Sequence, residues 1–205
     1  MTHLAEYDFK EDFTVTDDMK KAFDDKGYII VRNLLDSEEI NKVFKVLLDD
    51  DAMMKENYEV EEVNPEKKTT RIIWSHPGTD VTGVISKSEK VARTCQRLLG
   101  GEVYHYHSKM LLKSAQKGAQ HHWHQDYGYW YNNGCLYPDM MTVFIALDPC
   151  KRENGCLQIL EGSHKCGRIG HHPVKNQMEA DLERKEEIAK VCPHHYVELQ
   201  PGDAL

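Results

Sequence analysis

His121-His122-Trp123-His124-Gln125-Asp126-Tyr127 is the stretch on which the reading of this chain turns. In an extended segment successive side chains point to opposite faces. His122, His124 and Asp126 therefore share one face, and His121, Trp123 and Gln125 the other. An H-x-D pair on a single face brings an imidazole and a carboxylate close enough to share a cation. Two such ligands and a more distant histidine make the 2-His-1-carboxylate facial triad, which leaves positions open on iron(II). Alone, the tripeptide also fits a surface strand whose histidines pair with nearby acids. Structural zinc usually gathers thiolates at tight spacing, and the six cysteines (95, 135, 150, 156, 166, 192) form no CxxC pair.

The segments around this stretch indicate a mixed domain. Thr16 is placed to cap a helix over 17–25, with acids in its first turn and Gly27 to end it. Tyr28-Ile29-Ile30-Val31 is a short β-branched run and predicts a strand. Asp36 or Ser37 then opens a second helix, whose Ile40, Val43, Phe44 and Leu47 fall on one face. Residues 49–69 are charged and poor in apolar residues, which predicts a loop or lid. A third helix over about 88–99 packs Val91, Cys95, Leu98 and Leu99 and stops at Gly100-Gly101. Beyond it, 103–112, 121–126, 141–147, 156–160 and 196–199 predict short strands separated by turn residues, the spacing of an antiparallel sandwich or barrel. The charged stretch 176–191 predicts a surface helix inserted between strands. The fold class is α+β, in one domain spanning 1–205.

Composition narrows the function. Of 205 residues, 40% are hydrophobic, enough for a sizeable core, and the net charge is −8. That acidic balance argues against nucleic acid as a partner, because such affinity rests on cations neutralising phosphates. The longest apolar run, Met140 to Leu147, is far short of the roughly 20 residues that cross a bilayer. No basic-then-apolar leader is visible at Met1-Thr2-His3-Leu4. A cytoplasmic protein with reduced thiols and no membrane partner is expected; oligomeric state is not legible.

Four segments in order resemble the phytanoyl-CoA dioxygenase family, near its branch that hydroxylates ectoine and free proline. They are Asp25-Lys26-Gly27-Tyr28-Ile29-Ile30-Val31-Arg32-Asn33-Leu34-Leu35, His124-Gln125-Asp126, Asn154 to Lys165 with its Gly162-Ser163-His164-Lys165, and Val197-Glu198-Leu199-Gln200-Pro201-Gly202-Asp203-Ala204-Leu205. The resemblance implies a double-stranded β-helix (a jelly roll, cupin-like) behind N-terminal helices. It implies Fe(II) held by His124 and Asp126, 2-oxoglutarate as cosubstrate, and O2 as oxidant. Metal and cosubstrate would carry the hard chemistry, and the protein would orient the reactants and exclude water.

Other positions follow from the same resemblance. Lys109 matches a position that contacts 2-oxoglutarate, where methionine is the common residue. Phe144 falls where the family often has a cosubstrate-lining tryptophan. Gln125 and Arg71 are further cosubstrate contacts. A solvated strand lysine and a plain core aromatic are the ordinary alternatives for Lys109 and Phe144. In the family, a strand bearing the distal histidine and an arginine for 2-oxoglutarate follow the Pro-Gly-Asp turn. The chain is accordingly expected to be C-terminally truncated, with an incomplete jelly roll, and inactive or slow by itself.

Tyr127, Tyr129, Trp130 and Tyr131 follow the iron motif directly. They could wall a pocket for a small zwitterion such as a free amino acid, or simply pack. A branched acyl-CoA would need a basic surface, for which Lys109, Lys113 and Lys117 are the candidates. A demethylase of nucleic acid or protein and a jelly-roll binding protein without iron chemistry are the other classes. His164 is expected to be structural, and His171-His172 and His194-His195 to be solvent-facing pairs.

Overall fold

Thr16 opens the first helix as its residue type requires. Its Oγ1 accepts from Met19 N at 3.2 Å, and helix α1 (Asp17–Lys26) ends on Gly27 at φ +83°. Gly27 is needed for a second reason: a Cβ there would stand 2.4 Å from His164 Nδ1. The computed structural model describes residues 4–49, 58–60, 69–74, 78, 79, 81–113 and 120–205, with 47–49, 58–60 and 69–74 described by backbone alone. The loop or lid expected over 49–69 lies largely outside the described residues. So do Lys117 and the side chain of Arg71.

Strand β1 (Glu6–Asp8) pairs in parallel with β2 (Ile30–Arg32). Helix α2 (Ser37–Asp49) starts with a reciprocal capping box: Glu39 N donates to Asp36 Oδ1 and Asp36 N to Glu39 Oε2. It buries Ile40 and Val43, as their spacing predicts. Strands β3 (Tyr58–Val60), β4 (Thr69–Trp74) and β5 (Ser108–Lys113) form an antiparallel sheet that sets Lys109 opposite Ile73. Between β4 and β5 lie α3 (Val81–Lys87), which the sequence pattern did not predict, and α4 (Glu89–Leu99), which buries Val91, Cys95 and Leu98.

The C-terminal half holds β6 (Leu157–Leu160), β7 (His171–Val174), β8 (Gln177–Ala180), helix α6 (Leu182–Val191) and β9 (His194–Val197). β6 pairs antiparallel with β9, and β7 with β8. The charged stretch 176–191 is therefore half hairpin and half helix rather than all helix. Residues 103–107 carry no strand, so β5 is shorter than the 103–112 predicted. The segment 141–147 forms no strand and pairs only locally: Phe144 exchanges two backbone bonds with Leu205, and Ala146 exchanges two with the Gly202-Asp203 turn. Ala204 in turn pairs with Val31. Residues 203–205 thus run between β2 and 144–146.

The Pro201-Gly202-Asp203 turn locks this junction. Asp203 is 2% exposed. Its carboxylate accepts from Arg32 Nη1 at 2.7 Å, Asn33 N at 2.9 Å and Gln200 N at 2.8 Å. The main core gathers Met19, Ile30, Val31, Leu34, Leu98, Ala146, Val197, Leu199 and Ala204. Residues that the sequence reading placed at opposite ends of the chain meet there, and the motif stretch 120–126 lies beside this core rather than within it.

Candidate active site

Residues 121–125 are extended without strand pairing, and Gln125 (φ −109°, ψ 130°) passes directly into a short helix α5, Asp126–Trp130. The strand expected over 121–126 is thus replaced by an extended arm that Trp123 O ties to Ala180 N of β8 and His122 N to Gln177 Oε1. The pairing of faces survives. His124 Nε2 lies 3.4 Å from Asp126 Oδ1. His122 turns instead to Glu179, Nδ1 to Oε1 2.8 Å.

Hydrogen bonding fixes how each group can act. His124 Nδ1 is 2.7 Å from the carbonyl of His122. A carbonyl only accepts, so Nδ1 carries a proton, and Nε2 is the nitrogen turned toward Asp126. This is the arrangement that orients a metal-ligating histidine. Asp126 accepts from Tyr129 Oη at 2.9 Å on Oδ1 and from Thr142 Oγ1 at 2.6 Å on Oδ2. Burial by itself would raise its pKa, but hydrogen bonds from His124, Thr142 and Tyr129 outweigh burial and hold the carboxyl well below the usual range. An anionic carboxylate oxygen and an imidazole nitrogen 3.4 Å apart fit two ligands of one cation whose bonds are about 2.0–2.2 Å, the cation taking the place of the proton between them. Among the described residues, no third His, Cys, Asp or Glu completes a metal cluster.

Aromatic rings line one side of this pair. Tyr129 stands 5.9 Å from the rings of both His124 and His171, and Trp130 packs edge-on to Tyr106 at 5.0 Å and beside His107 at 5.2 Å. Burial, with a smaller contribution from Lys109, lowers the pKa of His107, while Asp126 opposes the shift. Tyr127 points elsewhere, its hydroxyl on Leu136 O at 3.2 Å and its ring on Tyr131. Phe144 packs against the main core. Gln125 is engaged at both ends of its amide: Nε2 donates to Gly167 O at 2.9 Å, and Oε1 accepts from Ile169 N at 3.0 Å.

The sequence reading missed Thr142, Tyr106, His107, Arg168 and His171. Thr142 and Arg168 come from distant segments, and no local pattern points from either to the motif. His171, expected to face solvent, is half-buried beside the motif, and its Nε2 accepts from Gln125 N at 2.9 Å. His195 is also covered, its side chain 13% exposed with Nε2 3.2 Å from Glu161 Oε2. His172 and His194 are exposed as expected. His164 is structural: its Nε2 reaches Asp24 O at 2.9 Å across the end of α1.

The phytanoyl-CoA dioxygenase (PhyH) family profile matches residues 23–205. The L-proline trans-4-hydroxylase of Streptomyces griseoviridis is 34% identical over 95 residues, covering 46% of this chain and 35% of that protein. The ectoine dioxygenase of Streptomyces coelicolor is 26% identical over 198 residues, covering 90% of this chain and 65% of that protein. The chain thus spans less than two thirds of the length of these relatives. Crystal structures of EctD from S. alaskensis with bound Fe (TM-score 0.76, 23% identity, 96% of this chain and 69% of that one) and of the carbocyclase SnoK from nogalamycin biosynthesis (TM-score 0.68, 16% identity, 92% and 72%) superpose on it. These likenesses establish the fold as the expected jelly roll with N-terminal helices. No helix among the described residues is long and apolar enough to cross a membrane.

Proposed function

Because the chain belongs to the phytanoyl-CoA dioxygenase family, we propose that it serves an Fe(II)- and 2-oxoglutarate-dependent dioxygenase activity that hydroxylates a small molecule. A free amino acid such as proline, or a related zwitterion, is the substrate class that fits best. One observation carries the reading: His124 Nε2 and Asp126 Oδ1 stand 3.4 Å apart, with the far nitrogen of the histidine tied to a carbonyl. His124 and Asp126 would hold the iron, with a second histidine completing the set. Iron with its cosubstrate supplies the oxidising power when bound.

The chain's own residues supply orientation. His122 O holds Nδ1 of His124, so that Nε2 faces the carboxylate. Thr142 and Tyr129 hold Asp126 anionic and fix its plane. Trp130, Tyr106 and Tyr129 give the site an aromatic side on which a cationic group would be held by ring faces. Lys109, Gln125, Phe144 and Arg71 remain proposed cosubstrate contacts. Gln125 would have to give up its bonds to the 167–169 backbone to serve directly.

The relatives support this class of substrate, since their names specify proline and ectoine. The test is succinate release from 2-oxoglutarate by the full-length protein, screened across free amino acids, betaine-like zwitterions and branched acyl-CoAs. Zwitterion-dependent turnover that disappears in Asp126→Ala is the expected result. Full iron-dependent activity in Asp126→Ala would overturn the metal assignment, and turnover with acyl-CoAs alone would overturn the substrate class.

A further inference from the structure

The five residues Gly167–His171 brace the metal-binding turn from outside. Gly167 O and Ile169 N take the two ends of the Gln125 amide, and His171 Nε2 takes the Gln125 backbone N–H. Arg168 Nε donates to Gly128 O at 3.0 Å, and its guanidinium lies 4.4 Å over the Tyr131 ring. Gln125 is the residue between the two proposed ligands. Its peptide sets the angle at which His124 and Asp126 face each other.

His171 is the part of this brace whose two ring nitrogens are both engaged. Its Nδ1 lies 3.0 Å from Ile169 O, so Nδ1 must donate; its Nε2 faces a backbone N–H, so Nε2 must accept. Both nitrogens are committed, in the one neutral tautomer that satisfies both partners. That excludes His171 as a third metal ligand despite its nearness. The ring also occupies space kept for it: a Cβ on Gly128 would stand 2.0 Å from His171 Cε1. A helical position immediately after the motif thus carries glycine where an imidazole must pass.

We infer that His171 is a positioning residue for the metal site, holding the Gln125 peptide between His124 and Asp126 through a fixed neutral tautomer. The inference rests on the proposed metal site and adds to it a residue forty-five positions past the second ligand. Its action is through the backbone, not through contact with metal or substrate.

Two arms test it. In the metal-free full-length protein, long-range proton–nitrogen spectra of the imidazoles should show His171 protonated at Nδ1 alone, and the Gln125 amide should exchange slowly. His171→Phe keeps a ring but neither nitrogen, and should free that amide. His171→Gln places an amide oxygen where Nε2 accepts, and should restore its protection. In the second arm, with Co(II) as the probe, His171→Phe should lose about 10- to 100-fold in affinity and change the visible absorption of the bound ion, and His171→Gln should recover most of both. Unchanged Gln125 exchange or Co(II) affinity in His171→Phe overturns the inference. Equal losses in the Phe and Gln variants overturn it too, since packing alone would explain them. Unchanged Co(II) affinity in His124→Ala overturns instead the metal reading, while the first arm still decides whether His171 holds Gln125.

Discussion

Gly128→Ala sets two physical effects against each other at a position one turn from the metal pair. By helix propensity the change is favourable: alanine in a helix interior gains about 0.8–1.0 kcal/mol over glycine. One buried methyl adds at most about 0.8 kcal/mol more. Against this, the new Cβ would stand 2.0 Å from His171 Cε1, where ordinary contact begins near 3.4 Å. The ring must retreat by the difference, 3.4 − 2.0, about 1.4 Å. A retreat of that size breaks the 2.9 Å bond from Gln125 N and the 3.0 Å bond to Ile169 O. Each polar group left unpaired in a half-buried site costs about 1–3 kcal/mol, and forced repacking costs a similar amount. The loss wins, and the variant should be less stable by at least about 1 kcal/mol. Urea unfolding of the metal-free protein measures it, with Gln125 amide exchange as the local report. A variant as stable as the parent, with Gln125 still protected, would refute the account of why glycine stands there.

Two further outcomes follow from other parts of the structure. Asp203→Ala strips three donors of their acceptor at a 2% exposed position. Since Arg32 keeps Glu6 and is only partly buried, the low end of the range for breaking a buried pair applies, about 3 kcal/mol. In a chain of this size that corresponds to a fall in Tm of roughly 6–12 °C, and a loss below about 1 kcal/mol would show the turn is not the lock described. Burial, together with a hydrogen bond and charge from Glu161, pushes the Tyr28 phenol well above its usual range. The folded state thus holds this proton more tightly than the unfolded chain, whose phenol titrates near about pH 10. Its contribution is complete below that pH and is lost as pH rises above it. Unfolding measured at alkaline pH should therefore decline less steeply in Tyr28→Phe than in the parent, and parallel declines would contradict the assignment.

Much of the fold is legible locally because its causes are local. Thr16 and Gly27 bound α1, Asp36 and Glu39 open α2, and the apolar faces of α2 and α4 follow their spacing. Each depends on residues within a turn or two of one another. Helix α3 was missed because Val81–Lys87 is short, with no cap signal and a glycine inside it. The strand expected over 121–126 failed for a related reason. Alternation describes an extended chain equally well whether or not a neighbour pairs with it, and here one backbone bond and one side-chain bond to β8 stand in for a ladder.

For the H-x-D stretch, the sequence alone determined that an imidazole and a carboxylate share a face, because two residues in extended chain return a side chain to the same side. It also determined the family, because four spaced segments in order are far more specific than any one of them. Tertiary structure alone decided the protonation and setting of the pair. Thr142 meets Asp126 across 16 residues, and His171 meets Gln125 across 46, while Arg168 reaches Gly128 across 40. None of these partners is implied by spacing, since contacts of that range are set by how segments pack on a common core. His171 shows the difference most plainly: in sequence it is one of a pair of histidines, and only folding puts both its nitrogens to work and a glycine beneath it.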